Sequence, residues 1–187
     1  VIGTASNGLI AIEKIKSLKP DVVTLDLEMP VMDGLEALQR IMKECPVPVV
    51  ILSAHSKEGS EKTITAMSEG AVDFISKPSG DIFSDIESIK DLIIKKIKSA
   101  STAQLPKVDL GSVKKQKFSP STKKIIVIGA SAGGPQTLEK LISELPKNIP
   151  SSILVVQHMP AVFTKSFADR LNSISDLDVV EAKHGDE

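Results

Sequence analysis

The sequence predicts an α/β fold: two doubly wound parallel-sheet domains, both incomplete. Three observations point there. Short β-branched runs alternate with amphipathic stretches of helical period and short connections, the pattern of strands joined by crossover helices. Aromatic residues make up 3% of the 187 residues, with no Trp or Tyr, so the core must be Ile, Val and Leu, as suits sheets buried on both faces. Polar residues able to do chemistry close successive apolar runs, at the strand ends where open α/β sheets place their sites.

In the first half, Val1–Thr4 reads as a strand, and Asn7 as the N-cap of a helix over Gly8–Leu18 with Leu9, Ala11, Ile12, Ile15 and Leu18 on its apolar side. Lys19-Pro20 ends that helix. Strands follow at Val22–Leu25, Val47–Leu52 and Val72–Ile75. Helices are expected at about Leu35–Glu44, at Glu58–Glu69 with Gly70 as its stop, and from Ile82 to about Lys98. Residues 1–99 thus form one domain. From 100 to 122 the periodicity lapses into Ser, Pro and Lys, including Lys114, Lys115 and Lys117, which reads as a flexible linker.

Residues 123–187 form the second unit, built around Ile125-Ile126-Val127-Ile128-Gly129-Ala130-Ser131-Ala132-Gly133-Gly134-Pro135. A buried strand runs into a glycine turn, and Pro135 stands where a helix begins. Gly129-x-Ser131-x-Gly133 fits a nucleophile elbow, in which the serine hydroxyl stands exposed at a strand-to-helix turn. The stretch also fits a Gly-rich phosphate loop, although Ser131 stands where a dinucleotide fingerprint has glycine. A helix over Gln136–Glu144 follows, with Leu138, Leu141, Ile142 and Leu145 on its apolar face. Strand Ile153–Val156 then runs into Gln157-His158-Met159-Pro160, with helix Phe163–Leu171 and strand Asp178–Glu181 after it. His158 therefore shares a strand-end edge with Ser131. A histidine there could be structural; facing an elbow serine it reads as its general base.

Composition excludes several classes. A net charge of −1 argues against bulk electrostatic binding to nucleic acid or membrane. Three linker lysines are ordinarily just solvated. No apolar run approaches about 20 residues, so no membrane span or insertion is expected, and no leader pattern opens the chain. The single cysteine, Cys45, cannot form an internal disulfide, which suits a cytoplasmic protein. Both ends fall inside or just past expected strands, so a piece of a longer protein is expected.

At the first half's strand ends stand Asp26, Ser53 and Lys77-Pro78: a carboxylate, a hydroxyl and an ammonium. Each alone could be an ordinary loop or surface residue. Together with Asp26-Leu27-Glu28-Met29-Pro30-Val31-Met32-Asp33-Gly34, they resemble the receiver domain of bacterial response regulators, a flavodoxin-like fold. The resemblance implies that Asp26 accepts a phosphoryl group from a histidine kinase. It further implies that Lys77 pairs with the phosphate, that Ser53 hydrogen-bonds it, and that Phe74 is the switch aromatic. Mg²⁺ is the implied cofactor, with Asp26 and Glu28 on its side of the site. The family also uses an acidic pair at the end of its first strand. Val1–Thr4 matches the second strand, so that pair has no counterpart here and efficient folding and phosphorylation of 1–99 are not expected.

The second half, through Ile128–Pro135 and Gln157–Pro160, closely resembles the Rossmann-like catalytic domain of the chemotaxis protein-glutamate methylesterases. The resemblance covers essentially the whole chain. It implies phosphorylation-controlled hydrolysis of glutamate γ-methyl esters on methylated chemoreceptors, and deamidation of receptor glutamines, with a chemotaxis histidine kinase as phosphodonor. Ser131 is then the nucleophile and His158 the base, and the turn at Ala132, Gly133 and Gly134 holds the oxyanion. No cofactor is implied for the hydrolysis. The aspartate that orients the histidine in the family is expected beyond Glu187, so this stretch alone is expected to be inactive. His184-Gly185-Asp186 reads as an ordinary turn. Ala132 departs from the threonine common after the serine. The rival reading is a non-enzymatic phospho-receiver controlling a degenerate nucleotide-binding or docking domain.

Overall fold

Asn7 starts the first helix as expected: its Oδ1 accepts the Ile10 N–H at 3.0 Å, one of the donors a helix start leaves unpaired. The computed structural model describes residues 1–54, 57–77, 82–103 and 124–186. Helix α1 (Gly8–Leu18) ends at Lys19, whose left-handed backbone turns its N–H back to Ile15 O at 2.9 Å. Strand β1 (Val23–Asp26) leads to α2 (Gly34–Glu44), capped by Asp33 Oδ1 on the Glu36 N–H at 2.9 Å. Then come β2 (Val49–Ser53), α3 (Lys57–Ser68), β3 (Asp73–Ser76) and α4 (Ile82–Ser101). Gly70, with φ +112°, makes the turn after α3.

The three strands form a parallel sheet in the order β1-β2-β3, with Asp26 opposite Leu52 and Ser53 opposite Ser76. That register brings all three strand ends to one edge. Val49, Val50 and Ile51 of the central strand are fully buried, as a strand covered on both faces must be. In the C-terminal lobe, β4 (Lys124–Ala130) and β5 (Ser151–Gln157) pair in parallel, with α5 (Gly134–Ser143) and α6 (Ala161–Ile174) after them.

The structure corrects the sequence reading in several places. Val1–Thr4 and Asp178–Glu181 are not strands, because a strand exists only beside another strand's backbone and none of the described ones lies alongside. Instead Lys14 Nζ donates to Thr4 O, and the Val179 N–H donates to Asn172 Oδ1. The apolar stripe of α1 is narrower than expected: Ile12 and Ile15 are buried, Leu9 and Leu18 are exposed. On α5, Leu141 is likewise exposed. Helix α4 runs to Ser101, beyond the expected boundary at 99. Of the expected linker, residues 104–122 lie outside the described residues, as do Pro78 and Glu187.

The two lobes share one hydrophobic core. Ile64, Met67 and Phe74 belong to the same buried cluster as Leu138, Ile142, Phe163 and Phe167. Phe74 and Phe163 meet with ring centroids 4.4 Å apart, tilted by 53°, a favoured aromatic geometry. Polar contacts flank this seam. Buried Glu139 of α5 accepts from Ser68 Oγ at the end of α3 and from Arg170 Nε at 3.2 Å.

The opposite face of the β4–β5 sheet is bare. Ile125 and Val127 are each 67% exposed, Val156 65% and Leu154 50%. A contiguous apolar strip of this kind favours self-association. The 187-residue chain is expected to bind a dye such as ANS in its folded state, and Val127→Lys with Val156→Lys to at least halve that fluorescence. Unchanged dye binding would place the exposed apolar surface elsewhere.

Candidate phosphoacceptor and hydrolase sites

At the edge of the three-stranded sheet, Asp26 Oδ2 lies 2.6 Å from Lys77 Nζ. Its other oxygen accepts the Glu28 N–H at 3.0 Å. The Lys77 N–H donates to Ser53 O at 2.7 Å, so the parallel ladder itself carries the lysine to the carboxylate. Asp26 and Lys77 are thus brought together as the sequence suggests. Ser53 is not part of that contact. Its buried hydroxyl is held inside by the start of α3, 2.5 Å from Thr63 Oγ1 and 3.2 Å from Gly59 O. Phe74 is turned inward against Phe163, and Lys96 lies 5.3 Å from its ring centre while pairing with Asp73 at 2.6 Å.

Mg²⁺ prefers six oxygens in octahedral geometry. Among the described residues no three carboxylate, imidazole or thiolate side chains converge, and both oxygens of Asp26 already have partners. Asp26 and Glu28 alone do not build that coordination shell.

In the C-terminal lobe the register pairs Ala130 with Gln157, and the His158 N–H continues the ladder to Ala130 O at 2.9 Å. Ser131 and His158 are therefore the next residues out on adjacent rungs. Ser131 Oγ lies 3.4 Å from His158 Nδ1. Both residues are exposed, and the separation is at the long end for a hydrogen bond. Gly133 takes φ +70° as the N-cap of α5, which lets the chain reverse at once into the helix.

The expected oxyanion turn resolves into three different roles. The Gly134 N–H donates to Ser131 O at 2.8 Å, closing the turn, and the Gly133 N–H donates across the seam to Val72 O at 3.1 Å. The Ala132 N–H has no acceptor among the described residues, and Ala132 itself is exposed. Asp186 Oδ2 accepts the Lys183 N–H at 2.6 Å, the ordinary turn expected of 184–186. The sequence reading assigned no role to Gln157, Thr63, Glu139 or the Val72 carbonyl. Gln157 had a signal in its place beside His158; a backbone carbonyl has none.

A family model described as response regulator receiver domain matches residues 1–86, and one described as CheB methylesterase matches 126–187. A protein-glutamate methylesterase/protein-glutamine glutaminase of Halalkalibacterium halodurans is 51% identical across all of this chain and 55% of its own length. One of Pyrococcus abyssi is 48% identical, with 53% of its length covered. The chain therefore spans about half the length of these relatives. The crystal structure of the response regulator domain of Thermotoga maritima CheB superposes with a TM-score of 0.51 at 44% identity, covering 56% of this chain and 78% of that one. A receiver domain followed by a methylesterase domain, matched end to end by such relatives, means that the chain belongs to the CheB methylesterase family of response regulators.

Proposed function

We propose that the protein hydrolyses glutamate γ-methyl esters on chemoreceptors, and deamidates receptor glutamines, through Ser131, under control of phosphorylation at Asp26. The observation that carries the hydrolytic reading is Ser131 Oγ 3.4 Å from His158 Nδ1 on a glycine turn at adjacent strand ends. His158 takes the hydroxyl proton at Nδ1 as Oγ bonds to the ester carbonyl carbon. The oxyanion forms at the Ala132 N–H. The C–O bond to the methoxy group breaks, and His158 returns the proton so that methanol leaves. Water then gives a proton to His158 as its oxygen bonds to the acyl carbon; the bond from that carbon to Oγ breaks, and His158 returns the proton to Oγ, releasing the glutamate acid and Ser131. In deamidation ammonia leaves in place of methanol. With Nδ1 facing Ser131, an orienting carboxylate belongs at Nε2, and none of the described residues supplies one; the 187 residues alone are expected to turn over poorly.

The regulatory reading rests on the seam. Phe74 is seated on Phe163, and Val72 O occupies the Gly133 N–H beside the nucleophile. A phosphoryl group donated to Asp26 by a chemotaxis histidine kinase replaces the carboxylate's single negative charge with about two and adds strong acceptor oxygens. Those charges draw Lys77 and Ser53 toward it. Ser53 then leaves Thr63, Phe74 follows, and the seam opens. No helix among the described residues is long and apolar enough to cross a membrane.

A fluorophosphonate probe with peptide mapping tests the nucleophile. Adduct at Ser131, lost at least 100-fold in Ser131→Ala, is the expected result. Absence of adduct on the folded protein would favour a docking module instead.

A further inference from the structure

Gln157 is the last residue of β5, and its side chain crosses to the other strand. Its Nε2 donates to Ser131 O at 2.9 Å and lies 3.4 Å from His158 O. Its Oε1 is fully buried without a partner, an arrangement proteins ordinarily avoid. The reverse orientation of the amide would set an oxygen against two carbonyl oxygens, so the donor must face inward. Room for the buried oxygen comes from Gly134: a Cβ there would stand 2.1 Å from Oε1 and 2.9 Å from Cδ. Both lone pairs of Ser131 O are then used, one by Gln157 and one by the Gly134 N–H at 2.8 Å.

The Ser131 carbonyl and the Ala132 N–H belong to one planar trans peptide unit, so they point in opposite directions. Whatever fixes the carbonyl fixes the amide. From this geometry we infer that Gln157 is a positioning residue that aims the Ala132 N–H at the oxyanion. The inference rests on the proposed role of Ser131 and Ala132. Gln157 touches neither substrate nor the reacting atoms; it acts through the peptide plane. The pinned carbonyl leaves the amide no freedom to rotate away as charge develops, which is what makes such a donor effective.

The test uses Gln157→Leu, which keeps the bulk and removes the donor, with Gln157→Glu as a second variant that keeps shape and cannot donate when ionised. Saturation labelling of the 187-residue chain by a fluorophosphonate separates the maximal rate from the probe's binding constant. Removing an oxyanion donor outright costs about 10²–10³-fold. Misaiming one is expected to lower the maximal labelling rate by about 30-fold in both variants, with the probe's binding constant unchanged and, in Gln157→Leu, the pH profile of labelling unchanged as well. The Ala132 amide cross-peak in a ¹H–¹⁵N spectrum should move in the same variants. A maximal rate within threefold of wild type in both variants would overturn the inference. Should wild type itself not label, the nucleophile assignment fails. The amide spectrum then decides the positioning alone: a shifted Ala132 peak upholds it, an unmoved one overturns it.

Discussion

Gly34→Ala is expected to cost about 3 kcal/mol of stability, at the upper end for overpacking, and to lower the melting temperature by about 6–12 °C. Gly34 is the first residue of α2, and its N–H donates to Leu27 O at 3.0 Å. A Cβ on it would lie 2.0 Å from Asp26 O and 2.6 Å from the Leu27 Cα. These are backbone atoms at and just beyond the end of β1, so no side chain can swing aside. Either α2 tilts away from the sheet, or the strand end carrying Asp26 shifts with its lysine contact. Thermal unfolding monitored by circular dichroism reads the first effect. The second appears as a changed Asp26–Lys77 contact in the spectrum of the Lys77 ammonium. A variant melting within 2 °C of the parent would mean that the helix and strand separate at almost no cost.

Phe163→Ala is expected to destabilise by about 3–5 kcal/mol, the range for deleting a buried aromatic ring, and yet to raise probe labelling at Ser131. Phe163 is completely buried and heads the fully buried side chains by volume among the described residues. Its loss opens a cavity under Phe74 and removes the ring contact across the seam. With the seam weakened, Val72 O leaves the Gly133 N–H and the turn beside the nucleophile is uncovered. Stability and labelling therefore move in opposite directions, which a simple folding defect does not produce. A double-mutant cycle with Phe74→Ala should return a coupling of about 0.5–1.5 kcal/mol. Additive effects, or labelling that falls with stability, would mean that the seam does not restrain the site.

How much of this was legible in the sequence depended on how local the signal was. Asn7, Gly70 and the Gly133 turn are readable because each follows from one residue's own chemistry and its near neighbours. The Asp26–Lys77 and Ser131–His158 pairings were also legible, because parallel strands carry their ends to one edge whatever their lateral order. The strands expected at Val1–Thr4 and Asp178–Glu181 failed because a strand is a property of two chains, and an apolar run records only one of them. Leu9, Leu18 and Leu141 satisfy the helical period but face no partner, since periodicity names a face and not what covers it. The inward turn of Ser53 toward Thr63, and the Val72 carbonyl on Gly133, depend on tertiary placement alone. Gln157 lies between these cases. Its position was visible, while its function required the direction of one peptide plane.

The rung pairing of Ala130 with Gln157 has a consequence for how this family can vary. The spacing of nucleophile and base is set by the hydrogen-bond ladder, not by the chain that connects β4 to β5. The segment from Leu145 to Pro150 can therefore lengthen, shorten or change composition without altering the separation of Ser131 and His158. Tolerance of insertions there, and intolerance of a single-residue insertion within either strand, is a property of the scaffold's geometry rather than of any one side chain.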